Sequence, residues 1–237
     1  MKRLGLLILA HFLLLAAPCF AQETNTSHEF DASLDIYTQH LWRGFSNGTS
    51  VSLQPAAECK FNGFTAGAWG AWCIDGSYTE LDLFVAYKKG AFSATLYDYF
   101  CPVNPVEKFE FFEITQGQTK HTFDLNLEYA DPARHPFSML IATMLYGDDL
   151  NPETGKNYYS TYAEPAANFS IGKTDFKAFA GFTPAKSYYA GKAAFTNTGI
   201  SASHTVKISK KLSLPLKAIV VHNPDKQRTY FSLGMNF

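Results

Sequence analysis

Thr229-Tyr230-Phe231-Ser232-Leu233-Gly234-Met235-Asn236-Phe237 closes the chain as a single alternating run. Successive residues of a strand point to opposite faces. Thr229, Phe231, Leu233, Met235 and Phe237 therefore share one face, and Arg228, Tyr230, Ser232, Gly234 and Asn236 share the other. The last residues of a water-soluble domain are usually frayed and polar. A final strand with one apolar face and an aromatic last residue predicts instead a sheet that keeps one side away from water.

The same period runs back along the chain. Phe30-Asp31-Ala32-Ser33-Leu34-Asp35-Ile36-Tyr37 and Thr122-Phe123-Asp124-Leu125-Asn126-Leu127-Glu128-Tyr129 alternate apolar with polar, and Leu81, Leu83, Val85 and Tyr87 oppose Glu80, Asp82, Phe84 and Lys88. Such runs are half-buried strands, and helical periodicity is hard to find. The expected strands are 29–43, 50–61, 64–72, 78–88, 91–100, 121–130, 137–147, 158–169, 174–183, 195–208, 212–222 and 228–237. Aromatics make up 16% of the chain, yet its mean hydropathy is only −0.11. Alternation produces that combination, which suits a barrel with a lipid face and a polar interior. Pro55, Pro165 and Pro215 fall inside expected strands, where each should mark a bulge or a misplaced boundary.

Connection lengths sort by parity. Asn62-Gly63, Lys89-Gly90, Asp131 to Pro136, the neighbourhood of Gly172, and Ser209-Lys210-Lys211 are short, whereas 101–120, 148–157 and 184–194 are long. Outer-membrane barrels have short periplasmic turns and longer outer loops, and a β-sandwich has no reason to sort them. Lys2-Arg3, the apolar run Leu4 to Ala17 and the small residues near Ala21 read as a secretory leader, 1–21, ahead of a mature domain 22–237. That apolar run is about 14 residues, short of the ~20 of a membrane-spanning helix. Phe231, Leu233, Met235 and Phe237 then form the expected sorting signal, read by the barrel-assembly machinery of a Gram-negative outer membrane.

With the apolar faces toward lipid, the opposite faces direct Asp31, Asp35, Tyr37, Arg43, Glu58, Lys60, Glu80, Asp82, Lys88, Asp124, Glu128, Lys177 and Arg228 toward the lumen. Separated acidic and basic ladders would select small charged solutes. The same charges paired across the interior would make a closed core, and both readings stand. Trp42, Phe45, Tyr146, Tyr158, Tyr159, Tyr188 and Tyr189 fall near outer strand ends and are expected to form an interfacial girdle. Tyr188-Tyr189 between Lys186 and Lys192 is the alternative, a sugar- or base-stacking platform. Formal net charge is −1 with scattered basic residues, which gives no case for nucleic acid. Three cysteines remain after the leader, so at most one bridge can form among them. Cys73–Cys101 is the candidate, and three free thiols are the alternative.

No catalytic or metal constellation emerges. Ser203 and His204 are sequence neighbours and face opposite sides of a strand, and His121, His204 and His222 are scattered. No cofactor is expected.

Several segments resemble the TorF-like family of uncharacterised exported proteins. Ile36-Tyr37-Thr38-Gln39-His40-Leu41-Trp42-Arg43-Gly44-Phe45-Ser46 is similar to its first strand and turn, with an aromatic-Arg-Gly step. Thr65-Ala66-Gly67-Ala68-Trp69-Gly70, Glu80-Leu81-Asp82-Leu83 and Tyr97-Asp98-Tyr99 are similar to its third, fourth and fifth strands. The resemblance implies an outer-membrane barrel and transfers no activity. At Arg43-Gly44 the residues suggest more. Gly44 permits a tight turn, and Arg43 is expected to pair with a lumenal acid near the mouth.

The expected protein is thus all-β: one closed antiparallel transmembrane barrel of about twelve strands, in contact with outer-membrane lipids. Its expected role is a narrow channel for a small polar solute or a closed structural barrel, not an enzyme. The rivals are a lipid-modifying barrel enzyme, marked by a Ser–His pair on neighbouring strands, and a secreted sugar-binding β-domain.

Overall fold

The computed structural model describes residues 29–102, 110–210 and 212–237, so the expected leader lies outside the described residues. The strands are β1 (Glu29–Tyr37), β2 (His40–Trp42), β3 (Phe45–Asn47), β4 (Ser52–Phe61), β5 (Phe64–Cys73), β6 (Thr79–Lys89), β7 (Phe92–Phe100), β8 (His121–Ala130), β9 (Phe137–Gly147), β10 (Thr161–Ile171), β11 (Thr174–Thr183), β12 (Ala194–Lys207), β13 (Ser213–Asn223) and β14 (Arg228–Asn236). Twelve of them, β1 and β4 to β14, form one closed antiparallel barrel, and β2–β3 is a separate hairpin. Among the described residues there is no helix.

Closure is made by the chain's last residues. Tyr37 pairs with Gly234 and Asp35 with Asn236. Leu34 and Phe237 exchange both backbone hydrogen bonds, each at 3.0 Å. β14 therefore has both its edges occupied, by β13 and by β1. A closed sheet leaves no unpaired edge.

The wall is sided as the alternation predicts. Phe30, Leu34, Phe64, Val85, Leu96, Leu127, Ile141, Ile200, Val220, Phe231, Leu233 and Phe237 are exposed on the outside. Ser52, Asp82, Asp124, Asn197 and Ser232 are buried inside. Near the short turns the outer surface carries aromatic pairs: Phe64–Tyr87, Phe92–Tyr129 and Phe169–Phe176, with ring centroids 4.6, 4.9 and 5.3 Å apart.

Three expectations are corrected. The first strand ends at Tyr37, not at residue 43. Beyond it the chain turns inward, and His40–Asn47 forms the β2–β3 hairpin. The prolines cause no register shift. Around Pro55 the β4–β5 ladder lapses between Leu53↔Trp72 and Ala56↔Trp69 and resumes in register, while Pro55 keeps its place opposite Leu34. Pro165 does the same between Ala163↔Phe182 and Ala166↔Phe179. A proline lacks one donor, and each strand residue directs its N–H to one neighbour only, so the loss stays on one side. The two bulges lie elsewhere, at Phe123/Asp124 and Gly181/Phe182. Finally, Cys73 and Cys101 are free thiols. Cys73 Sγ faces the carbonyls of Asn47 and Ser50, whereas Cys101 Sγ faces the Glu80 carboxylate and the Tyr78 hydroxyl.

Candidate functional site: the plugged lumen

Trp42 and Phe45 are directly opposed across the hairpin, so Arg43-Gly44 is a two-residue loop. Both loop residues have positive φ, 45° and 89°. That is the backbone a tight hairpin needs, and it usually selects Asn-Gly or Asp-Gly. Arginine in the left-handed region costs about 1–3 kcal/mol. Its side chain offsets this strain by what it meets inside the barrel.

The Arg43 guanidinium reaches across the lumen to β8, β10 and the 184–193 loop. Its Nη1 lies 2.8 Å from Asp124 Oδ2 and donates to the Tyr189 hydroxyl. Its Nη2 donates to Asn126 Oδ1 at 2.9 Å. The flat cation also lies over aromatic faces, 4.7 Å from the Trp42 centroid, 5.2 Å from Tyr162 and 5.8 Å from Tyr189. The Asp124, Tyr162 and Tyr189 side chains are completely enclosed. Trp42, Phe45 and Leu140 pack on a cluster of Ala142, Met144, Tyr162 and Tyr189, so the hairpin fills the outer half of the lumen.

The frame around this centre is itself held. Tyr162 donates to Glu164 Oε2 at 2.5 Å and accepts from Asn197 Nδ2 at 2.8 Å, while Lys177 Nζ meets Glu164 Oε1 at 2.8 Å. Gly181 leaves room for the Tyr162 ring, whose hydroxyl would lie 1.9 Å from a Cβ at that position. Tyr189 is positioned through its loop: Ser160 donates to Asp149 at 2.5 Å, and the Tyr188 N–H donates to Ser160 Oγ at 2.7 Å. Burial pushes the Asp149 carboxyl up, against the lowering effect of the Ser160 bonds.

The start and the end of the plug are tied separately. His40 Nε2 lies 3.3 Å from Glu80 Oε2, and its Nδ1 is 3.1 Å from Gln54 Nε2. Tyr78 donates to Glu80 at 2.9 Å. At the other end Asp75, in the 74–78 turn, accepts from Thr49 and Ser50 hydroxyls at 2.7 Å each. Hydrogen bonds from Ser77, Thr49 and Ser50 hold the Asp75 carboxyl well below the ordinary range. A depressed carboxylate contributes above its unfolded value and is lost as pH falls. This tie is therefore complete at neutral pH and weakens only in acid.

The structure places the lumenal candidates in four groups, with Lys88 and Arg228 apart from them. Arg43 and Asp124 meet at the centre, with Asp82 buried nearby on β6 and Glu80 on the His40 tie. Tyr37 lies inside against Gly234, and Asp35 is half-buried beside it. Asp31, Glu58 and Lys60 form a more exposed group at the turn end, where Lys60 Nζ is 2.7 Å from Glu58 and 3.7 Å from Asp31. Glu128 and Lys177 line a cavity of about 830 Å³ that opens among the short turns, together with Asp175, Ser201 and Lys217. Lys88 is exposed near the turn end, and Arg228 is exposed at the outer end of β14, outside the central network.

The sequence reading missed His40, Asn126, Tyr162, Glu164 and Asn197. Tyr162-Ala163-Glu164 carried a usable signal, a polar alternation through Pro165, hidden by the proline. The girdle expectation fails for Trp42, Phe45 and Tyr189, which turn inward because the hairpin and the 184–193 loop enter the lumen. Tyr146, Tyr159 and Tyr188 remain exposed.

On the outer wall, His121 Nδ1 lies 2.7 Å from Asp98 and its Nε2 is 2.6 Å from the Phe111 carbonyl oxygen. This clamps the 110–120 segment to the barrel, aided by the Tyr146 hydroxyl, which donates to the Ile114 carbonyl at 3.0 Å. His121→Ala should free that segment at a cost of about 1–3 kcal/mol, the penalty for stranding a buried partner. Faster limited proteolysis within 110–120, with unchanged barrel mobility on an unboiled gel, is the expected result.

Among the described residues no histidine hydrogen-bonds a serine side chain: His204 and His222 meet Thr174 and Thr229 instead, at 3.1 and 3.0 Å. Nor do three His, Cys, Asp or Glu side chains converge as metal ligands among them. Neither a protein-family model nor a curated protein matches this chain.

Proposed function

We propose that this barrel resides in the outer membrane of a Gram-negative bacterium, with its short turns periplasmic, and that it is closed at rest by the β2–β3 plug. Of the two roles open to it, a narrow solute channel and a closed barrel, the plug favours the closed one. The observation that carries this is the enclosure of the Arg43 guanidinium by Asp124, Asn126, Tyr189 and Tyr162, which pairs the plug's charge inside the outer lumen. The many outward apolar side chains from Phe30 to Phe237 support the membrane reading, because soluble monomers rarely expose apolar patches beyond a few hundred Å². Contact with lipids and delivery by the assembly machinery through β14 belong to the same proposal. So does the TorF-like resemblance, which the Arg43-Gly44 hairpin gives a physical sense.

Planar-bilayer recording tests the closed reading. The intact barrel should be silent across salts. A variant with residues 39–48 replaced by a short Gly-Ser linker should show discrete openings. Regular openings of the intact protein would overturn it. Membrane fractionation with a heat-modifiable gel shift tests the location, and recovery in the soluble fraction would sink that part.

A further inference from the structure

Asp124 is fully enclosed, and apart from the 2.8 Å ion pair to Arg43 neither of its carboxylate oxygens accepts a hydrogen bond. A buried carboxylate in that position depends on a cation. The rest of its surroundings are suited to one kind. Asn126 Oδ1 and the Tyr189 hydroxyl oxygen accept from the same guanidinium, and the Tyr162 and Tyr189 rings present their faces to it. These groups stand on β8, β10 and the 184–193 loop, not on the plug. Tyr162 is fixed by Glu164 and Asn197, and Tyr189 by the loop contacts through Ser160, so the pocket is held by bonds that do not involve Arg43.

We propose that Asp124, Asn126, Tyr162 and Tyr189 form a binding site for a guanidinium-bearing solute, and that Arg43 occupies it as an intramolecular ligand. The acceptors match a planar fork of N–H donors, and the aromatic faces suit a weakly hydrated delocalised cation. A compact, strongly hydrated ion would find one carboxylate and few other oxygens. The tethered Arg43 holds an effective concentration in the millimolar range or above, so a free solute competes only by displacing the plug. In the resting protein the same contacts therefore close the lumen and reserve the site. The inference rests on the plug reading, and bilayer silence tests that reading separately from the cation titration below.

The test uses Arg43→Ala barrel in detergent micelles, titrated with methylguanidinium chloride at non-denaturing concentrations and followed by thermal melting. The melting temperature should rise with the logarithm of the methylguanidinium concentration once that exceeds the dissociation constant, by roughly 5 °C at about 100-fold above it. N-Methylurea, which has the shape without the charge, should leave it unchanged, as should methylguanidinium added to Arg43→Ala/Asp124→Asn. A flat response of Arg43→Ala, or an equal rise with N-methylurea or in the double variant, would overturn the proposal. If Arg43→Ala does not survive extraction, refolding yield replaces melting. A several-fold higher yield with methylguanidinium supports the site, and equal yields with and without it refute it.

Discussion

Gly44→Ala should unseat the plug while leaving the barrel folded. A Cβ at position 44 would sit 1.7 Å from the Thr196 carbonyl oxygen and 2.7 Å from its carbon. Both atoms are backbone of β12, so no side chain can swing aside. The residue also has φ +89°, which alanine adopts only under strain. Overpacking and left-handed strain together cost on the order of 3 kcal/mol or more. The clash is with the wall itself, so relief requires the loop to move away from β12 and to lose the 3.1 Å bond from Asn223 Nδ2 to the Gly44 carbonyl. The barrel wall keeps its own ladders, because the hairpin contributes no strand to it. The expected readouts are channel openings where the parent is silent, and new protease cleavage within 38–51. A variant as quiet and as protected as the parent would show that the hairpin does not close the pore.

Asp124→Ala should be the most destabilising single change in the lumen. It removes the counter-ion of a guanidinium whose side chain is 6% exposed, while the lost carboxylate is itself 0% exposed. Removing one partner of a buried pair costs about 3–5 kcal/mol, because the remaining charge is stranded. At ~2–4 °C per kcal/mol for a chain of this size, the melting temperature should fall on the order of 10 °C. Arg43→Met/Asp124→Leu should recover much of that loss, since apolar replacements of similar volume are often neutral. The double-mutant cycle separates the pair from its surroundings. Equal melting temperatures for the parent and Asp124→Ala would mean that the hairpin leaves the lumen freely and Arg43 is solvated.

Much of this architecture was legible in one dimension. Alternation assigns a face to each residue from its neighbours alone, so Phe231, Leu233 and Phe237 outside and Ser232 inside follow from counting in twos. Loop parity follows from lengths, and the short turns at 62–63, 90–91 and 172–173 stand where Gly63, Gly90 and Gly172 adopt positive φ. Arg43-Gly44 was visible as a turn, and an arginine enclosed in a barrel needs an acid by whatever route the chain takes there. Counting failed at residues 38–43, where the period continues but the chain does not stay in the wall. There Ser232 Oγ takes the place of a ladder partner, accepting from the Gln39 N–H and donating to its carbonyl.

The sheet, its faces and its closure are properties of period and length, and local sterics suffice to set them. The plug is not of that kind. Arg43 meets Asn126 across 83 positions of chain and Tyr189 across 146. Those encounters depend on the barrel's diameter, on the space left at Gly181, and on two outer loops that reach the same point. A buried charge fixes its partners by the cost of leaving it unpaired. Which partners lie within reach was decided only when the wall had closed around it.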